Sequence, residues 1–286
     1  MKPTIVIVPL LLLFPAAAQA ASLASVDAVQ MPAWRLRDGQ SVPLQPGMIL
    51  QRGDQVKTGA SARVYVRLAE GSTVKLGETA HLDVQSLGVE KGNLFKGALD
   101  IVAGAFRFTT SLVARAKKRD LTIRVGSATL GIRGTDVWGR AAPDQDLVML
   151  IEGQVEVKAA GGETFALREP LSTYLAPRDR APQALVKSTE EELKARALET
   201  DIAPGGGALR RGGKWSLRLG ASVGEHEARA LRDRAREAGF AARTRPADRT
   251  KRTYEIVITG FASEAEARAA ASGVGHQLGV EARAVR

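Results

Sequence analysis

"YEIVITGFASEAEARAA", Tyr254 to Ala270, repeats in outline a phrase that begins thirty-nine residues earlier, "WSLRLGASVGEHEARAL", Trp215 to Leu231. In each, an aromatic residue leads a short alternating run, a glycine interrupts it, and an alanine-rich charged stretch follows. Alternation at period two marks a strand with one face on a core, and the charged stretch has the helical period. The spacing predicts strands over Trp215–Leu219, Phe240–Arg245, Tyr254–Ile258 and Val280–Val285, with helices over Glu225–Ala238 and Ser263–Leu278. Gly239 stops the first helix, and Ser263 with Glu266 reads as a capping box on the second. Two βαβ units of this kind interleave into a four-stranded antiparallel sheet with both helices on one face.

Alternation also assigns the faces. Trp215, Leu217, Leu219, Tyr254, Ile256 and Ile258 point toward the helices. The open face then carries Ser216, Arg218, Glu255 and Val257, joined by Arg243, Arg245, Glu281 and Arg283 from the other strands. Arginines outnumber acids there, so this is either a solvated face or a site for an anionic partner.

Upstream, residues 34–180 read as an all-β domain. "ARVYVRLAEG", "STVKLGE", "LTIRVGSATLGIRG" and "LVMLIEGQVEVKAAGG" alternate apolar and polar residues between Gly, Pro and Asp breaks. Such short strands suit a sandwich, a jelly roll or a short solenoid. Residues 187–213 change character: "STEEELKARALET" predicts a helix with a capping box at Ser188 and Glu191, and "APGGGALRRGGK" reads as a flexible linker. The chain is therefore expected to be multidomain, with an α+β domain over 214–286.

The N-terminus, "MKPTIVIVPLLLLFPAAAQA", has a basic start, an apolar run and small residues at Ala18 and Ala20. This predicts a secretory signal peptide over residues 1–20, with cleavage after Ala20 and no lasting membrane span. The absence of cysteine leaves stability to burial in an oxidising compartment. Lys and Arg together number 41 against 31 acids, a formal +10 that favours anionic partners. Export makes nucleic acid an unsuitable one. Stacking of RNA bases would need aromatics on the open face, and Trp215 and Tyr254 fall on the other side.

The strand "WSLRLG", the helix "EARALRDRAREAGFAAR" and the half-repeat from Tyr254 resemble the sporulation-related repeat, or SPOR, family over roughly Lys214–Arg286. The resemblance implies a ferredoxin-like fold that binds peptidoglycan glycan strands stripped of stem peptides, in the periplasm and typically at division sites. The glycan-binding residues would be Ser216, Arg218, Arg243, Arg245, Glu255, Val257 and Arg283. A denuded strand keeps a free lactyl carboxylate, which a guanidinium fork pairs bidentately. This chain departs from the family at Arg218, where glutamine is frequent, at Ala221, where serine is frequent, and in its "ITGF" turn.

"PGMILQRGDQVKTGASARVYVRLAEGSTVKLGE" and "RVGSATLGIRGTDVWG" resemble the FecR family over roughly Pro46–Pro177. That family's sensors reach a cytoplasmic sigma factor through a membrane helix. Here the resemblance implies an envelope protein partner on the outer side. "GIRGTDVWG", Gly131–Gly139, reads as a partner contact or as a tight turn with Arg133 and Asp136 paired locally. "RAKKRD", Arg115–Asp120, reads as a solvated loop or an anion patch.

Nothing in the sequence predicts catalysis, a metal or a cofactor. His81, His226 and His276 lack metal-ligand spacing, and carboxylate pairs such as Glu190 and Glu191 lie on exposed helix. The expected protein is a non-enzymatic binding protein of the periplasm. The alternative is a regulatory partner protein whose SPOR-like domain no longer binds glycan.

Overall fold

The computed structural model describes residues 23–111, 118–132, 134–248, 250 and 252–286. The expected signal peptide, Arg133 and the first half of "RAKKRD" lie outside the described residues.

The alternating runs form a two-layer β unit. Strand Arg63–Leu68 shows the rule: Val64, Val66 and Leu68 are buried, while Arg63, Tyr65 and Arg67 face the other way. In the first layer, Ala24–Gln30 pairs with Arg63–Leu68, followed by Thr73–Leu76, the second half of Leu94–Thr109, Asp136–Ala141, Gln145–Glu152, Ser172–Pro177 and Gln183–Lys187. The second layer runs Gln40–Pro43, Ala33–Arg37, Gln55–Thr58, His81–Glu90, the first half of Leu94–Thr109, Arg119–Val125, Ala128–Ile132, Val155–Lys158 and Thr164–Leu167. The chain alternates between layers while each layer advances almost in chain order. A sandwich thus grows along one axis in the manner of a solenoid. The long strand Leu94–Thr109 changes layer at Gly104, whose φ is +82° and whose Cβ, if present, would lie 2.5 Å from the Ala80 Cα. Val66, Phe106 and Val148 from one layer and Val56, Ile101 and Ile123 from the other share one core.

Helix α1, Glu190–Thr200, covers the outer face of the first layer. Leu193 packs on Trp138 and Met149, and the Arg196 and Arg140 guanidinium groups lie 5.2 Å and 5.6 Å from the Trp138 ring centroid. The helix is capped by Thr189 and Glu192, one residue later than Ser188 and Glu191. Ser188 is unavailable because its buried hydroxyl bonds Thr173 and accepts from Arg196.

In the C-terminal unit, strands Ala242–Asp248, Thr253–Phe261, Trp215–Val223 and Ala282–Val285 lie in that order across the sheet, all antiparallel. Helices α2, Glu225–Glu237, and α3, Glu264–Leu278, bury Ala228, Ala235, Ala267 and Val274 in the same core as Leu217, Leu219, Ile256 and Ile258. Helix α2 ends in a Schellman motif. Phe240 N donates to Ala235 O at 2.9 Å and Gly239 N to Arg236 O at 3.0 Å, with Gly239 at φ +85°.

The glycine-rich stretch is not a free tether, contrary to its composition. Strand Ala208–Arg210 within it pairs with Ala24–Gln30 on one side, and its Leu209 pairs with Phe261 on the other. It thereby joins the first β layer to the C-terminal sheet. The strand Ala24–Gln30, upstream of the expected domain start at 34, is the other half of this junction. Gly205 and Gly207, at φ +75° and +79°, turn the chain beneath α3, where a Cβ on Gly207 would lie 2.9 Å from the Ala270 N. Glu266 completes the joint. Its carboxylate accepts from the backbone N–H groups of Gly205, Gly207 and Ala208 at 3.0, 2.6 and 2.9 Å. Only half of the expected capping box therefore forms: Ser263 accepts from Glu266 N, while the Glu266 side chain serves the linker.

Candidate functional site

The open face of the C-terminal sheet gathers the residues that alternation placed there. Arg243, Val257, Arg218 and Arg283 are register partners in one row across all four strands. At about 4.8 Å between strands the row spans about 14 Å. Thr259, Ser216 and Val285 form the row on one side of it, and Glu255 with Arg245 lies on the other.

The seven predicted residues do not play equal parts. Val257 and Ser216 are only 3 % and 7 % exposed, so they form the floor between longer side chains. Glu255 sits between two arginines. Arg245 Nη2 donates to its Oε2 at 2.7 Å and Arg218 Nη1 to its Oε1 at 3.3 Å. The hydrogen bond from Arg245, then that from Arg218, holds the Glu255 carboxyl below the usual carboxylate range. Arg283 donates to Glu281 at 2.7 Å, and both side chains are exposed, so solvent screens that pair. Arg243 makes a different contact: its Nη2 donates to Gln45 Oε1 of the N-terminal unit. Four guanidinium groups against two carboxylates leave the face positive. Each guanidinium has five N–H donors, more than the one or two bonds that each of these arginines makes among the described residues. The arrangement suits a flat, carboxylate-bearing ligand laid along the row.

Gln45 had no signature in the sequence, because it reaches the face from 198 positions away. Trp215 and Tyr254 are partly buried against the core, on the side alternation assigned to them.

The described residues of the other singled-out segments belong to the β unit. Asp136 is gripped bidentately by Arg107 of the neighbouring strand, at 2.9 Å and 2.7 Å; its expected partner Arg133 lies outside the described residues. Gly139 allows close approach, since a Cβ there would lie 2.5 Å from the Phe106 ring. Arg119 starts a strand instead of a solvated loop, donating to Ser72 and Thr110 at 2.9 Å and 3.1 Å. Among the described residues no group of three or more His, Cys, Asp or Glu could hold a metal ion, and no helix is long and apolar enough to cross a membrane.

Comparison with known proteins agrees with the order of the two units. The family model described as "FecR protein" matches residues 54–156, and that described as "SPOR domain" matches residues 212–280. No curated protein matches the chain. Two crystal structures of a candidate anti-sigma factor from Parabacteroides distasonis are similar in part. One is 14 % identical with a TM-score of 0.40, over 49 % of this chain and 63 % of that one. The other is 13 % identical with a TM-score of 0.42, over 79 % of this chain and 91 % of that one. The chain thus spans less than two thirds of the first of these.

Proposed function

We propose that this chain, a FecR domain followed by a SPOR domain, is an exported, non-enzymatic peptidoglycan-binding protein of the periplasm. Its C-terminal sheet takes glycan strands from which the stem peptides have been removed, and its FecR domain presents a surface to an envelope protein partner. The β-α-β-β-α-β order, with the first and third strands central, supports the ferredoxin-like reading of the SPOR unit. The observation that carries the proposal is the row Arg243, Val257, Arg218 and Arg283 on an open face with excess positive charge. A lactyl carboxylate exposed by amidase action pairs with a guanidinium through two parallel hydrogen bonds. Denuded strands are concentrated where the wall is being split, which motivates enrichment at the division septum.

A second reading rests on Glu255, which occupies both Arg218 and Arg245. On that reading the face is internally neutralised and the protein acts only through protein partners. Co-sedimentation of the full chain with amidase-treated and untreated sacculi separates the two. Enrichment on the treated sacculi, lost in Arg218→Glu, supports glycan binding. Equal retention on both sinks it and leaves the protein-partner role.

A further inference from the structure

Three of the four arginines of the open face have a carboxylate partner inside the chain: Arg218 and Arg245 share Glu255, and Arg283 has Glu281. Arg243 has a neutral one, the Gln45 amide. One of the two uncompensated charges of the face stays with the pair that shares Glu255, and the other lies at its edge, on Arg243, where the N-terminal β unit meets the sheet.

The element that meets it is a tight turn. Gln45 O accepts from Met48 N at 3.1 Å, Pro46 takes the second position, and Gly47 at φ +88° the third, the pattern of a type II turn. Gly47 N donates to Val26 O at 2.7 Å, which ties the turn to the first β layer. The missing Cβ of Gly47 is filled by a second guanidinium: a Cβ there would lie 3.3 Å from Arg211 Nη2. Arg211 itself is exposed. The turn thus meets Arg243 at Gln45 and Arg211 at Gly47, and among the described residues no carboxylate lies within ion-pair distance of either arginine. Beside Arg243 is a depression of about 310 Å³ between α2 and the edge strand, lined by Arg232, Asp233, Arg236, Ala242, Arg243 and Thr244. Its single acid, Asp233, is paired with Arg232 at 2.8 Å.

We infer that the turn Gln45–Met48 of the N-terminal β unit, with Arg243 bonded to it and Arg211 beside it, is the carboxylate-binding end of the glycan face. The inference rests on the glycan-binding reading and deepens it. The SPOR sheet supplies the row along which the sugar lies, and the other domain supplies the geometry that fixes its anionic group. Gln45 is a positioning residue, since it acts by orienting Arg243, whereas Arg211 and Arg243 would touch the ligand. A neutral amide suits this role because it orders the guanidinium without consuming its charge.

The test uses the full chain and two immobilised ligands, amidase-treated glycan strands and chitin fragments, which share a sugar backbone but differ in the lactyl carboxylate. The wild type is expected to prefer the former. Arg211→Gln is expected to weaken binding to denuded glycan about threefold to tenfold, the scale of one charge-assisted contact, and to flatten its salt dependence. Gln45→Ala is expected to weaken it by a similar factor with the salt dependence kept, because no charge is lost. Neither variant is expected to alter binding to chitin. Arg211 is exposed, so its replacement keeps the test open if Gln45→Ala disturbs the fold. Unchanged binding in Arg211→Gln, while Arg218→Glu still weakens it, overturns the inference and leaves the glycan-binding reading in place. No effect of Arg218→Glu overturns both.

Discussion

Trp34, in an early strand of the N-terminal β unit, donates its indole N–H to the carbonyl oxygen of Glu237, the last residue of helix α2 in the SPOR domain, at 3.0 Å. The two residues are 203 positions apart, and the bond satisfies one of the carbonyls that a helix leaves unpaired at its C-terminus. Two residues on, Gly239 lies against the same ring, and its carbonyl accepts from Ala33 N at 3.2 Å. The domains are joined through a helix end, a glycine and an indole, in addition to the shared sheet.

Gly239 is the most sensitive point of this contact. A Cβ there would lie 2.6 Å from the Trp34 ring, and the φ of +85° is strained for any residue with a side chain. Gly239→Ala is expected to cost about 3 kcal/mol, from left-handed strain and overpacking together. Calorimetry of the full chain is expected to resolve two transitions in the variant where the wild type shows one. A single transition at the wild-type temperature would refute tight docking.

Glu266 is the counterpart on the linker side. Glu266→Ala removes the acceptor for three backbone N–H groups and is expected to cost about 2–3 kcal/mol. Limited proteolysis is expected to cut the variant between residues 203 and 214 well before the wild type. Equal resistance would show that the pairing of Ala208–Arg210 alone holds the joint.

Tyr65 anchors the chain where it leaves α1. Its hydroxyl oxygen accepts from Ile202 N at 2.7 Å, and burial, before any other influence, pushes its ionisation above the usual tyrosine value. Tyr65→Phe leaves the Ile202 N–H without an acceptor and is expected to destabilise the chain by about 1–3 kcal/mol. Denaturation midpoints measure this, and a shift near zero would mean that water replaces the hydroxyl.

Glu255 carries a pH signature. Its pKa is depressed by Arg245 and then Arg218, so the folded chain gains stability when this carboxylate is ionised. That gain is fully present above the ordinary glutamate value, about 4.3, and disappears as the pH falls through the lower folded value. Glu255→Gln is expected to be less stable than the wild type at neutral pH and to converge with it in acid. Chemical denaturation between neutral and acidic pH reads the gap directly, and a gap that does not close with acid would contradict the assignment.

Much of this was legible in local sequence. Period-two alternation in "ARVYVRL" and in the two aromatic-led runs assigned buried and open faces, because the pleat leaves a strand no other choice. The repeated phrase located all four strands and both helices of the SPOR unit, and Gly239 marked the helix end. What misled was composition read without context. Glycines at 205 and 207 resemble a flexible tether, yet they serve a turn beneath α3. The capping residues were misplaced by one at α1 because Ser188 is engaged by Thr173 and Arg196, which lie elsewhere in the fold.

The sequence by itself determined the two kinds of unit, their order, and which side of each strand meets the core. These depend on the chain's own periodicity, which acts over a few residues. Only the tertiary structure decided that the units share a sheet through Ala208–Arg210, that Glu255 neutralises part of the arginine row, and that Gln45 meets Arg243 at its edge. Those outcomes depend on hydrogen bonds and charges between residues as many as 198 positions apart, and no local pattern encodes which side chain will arrive.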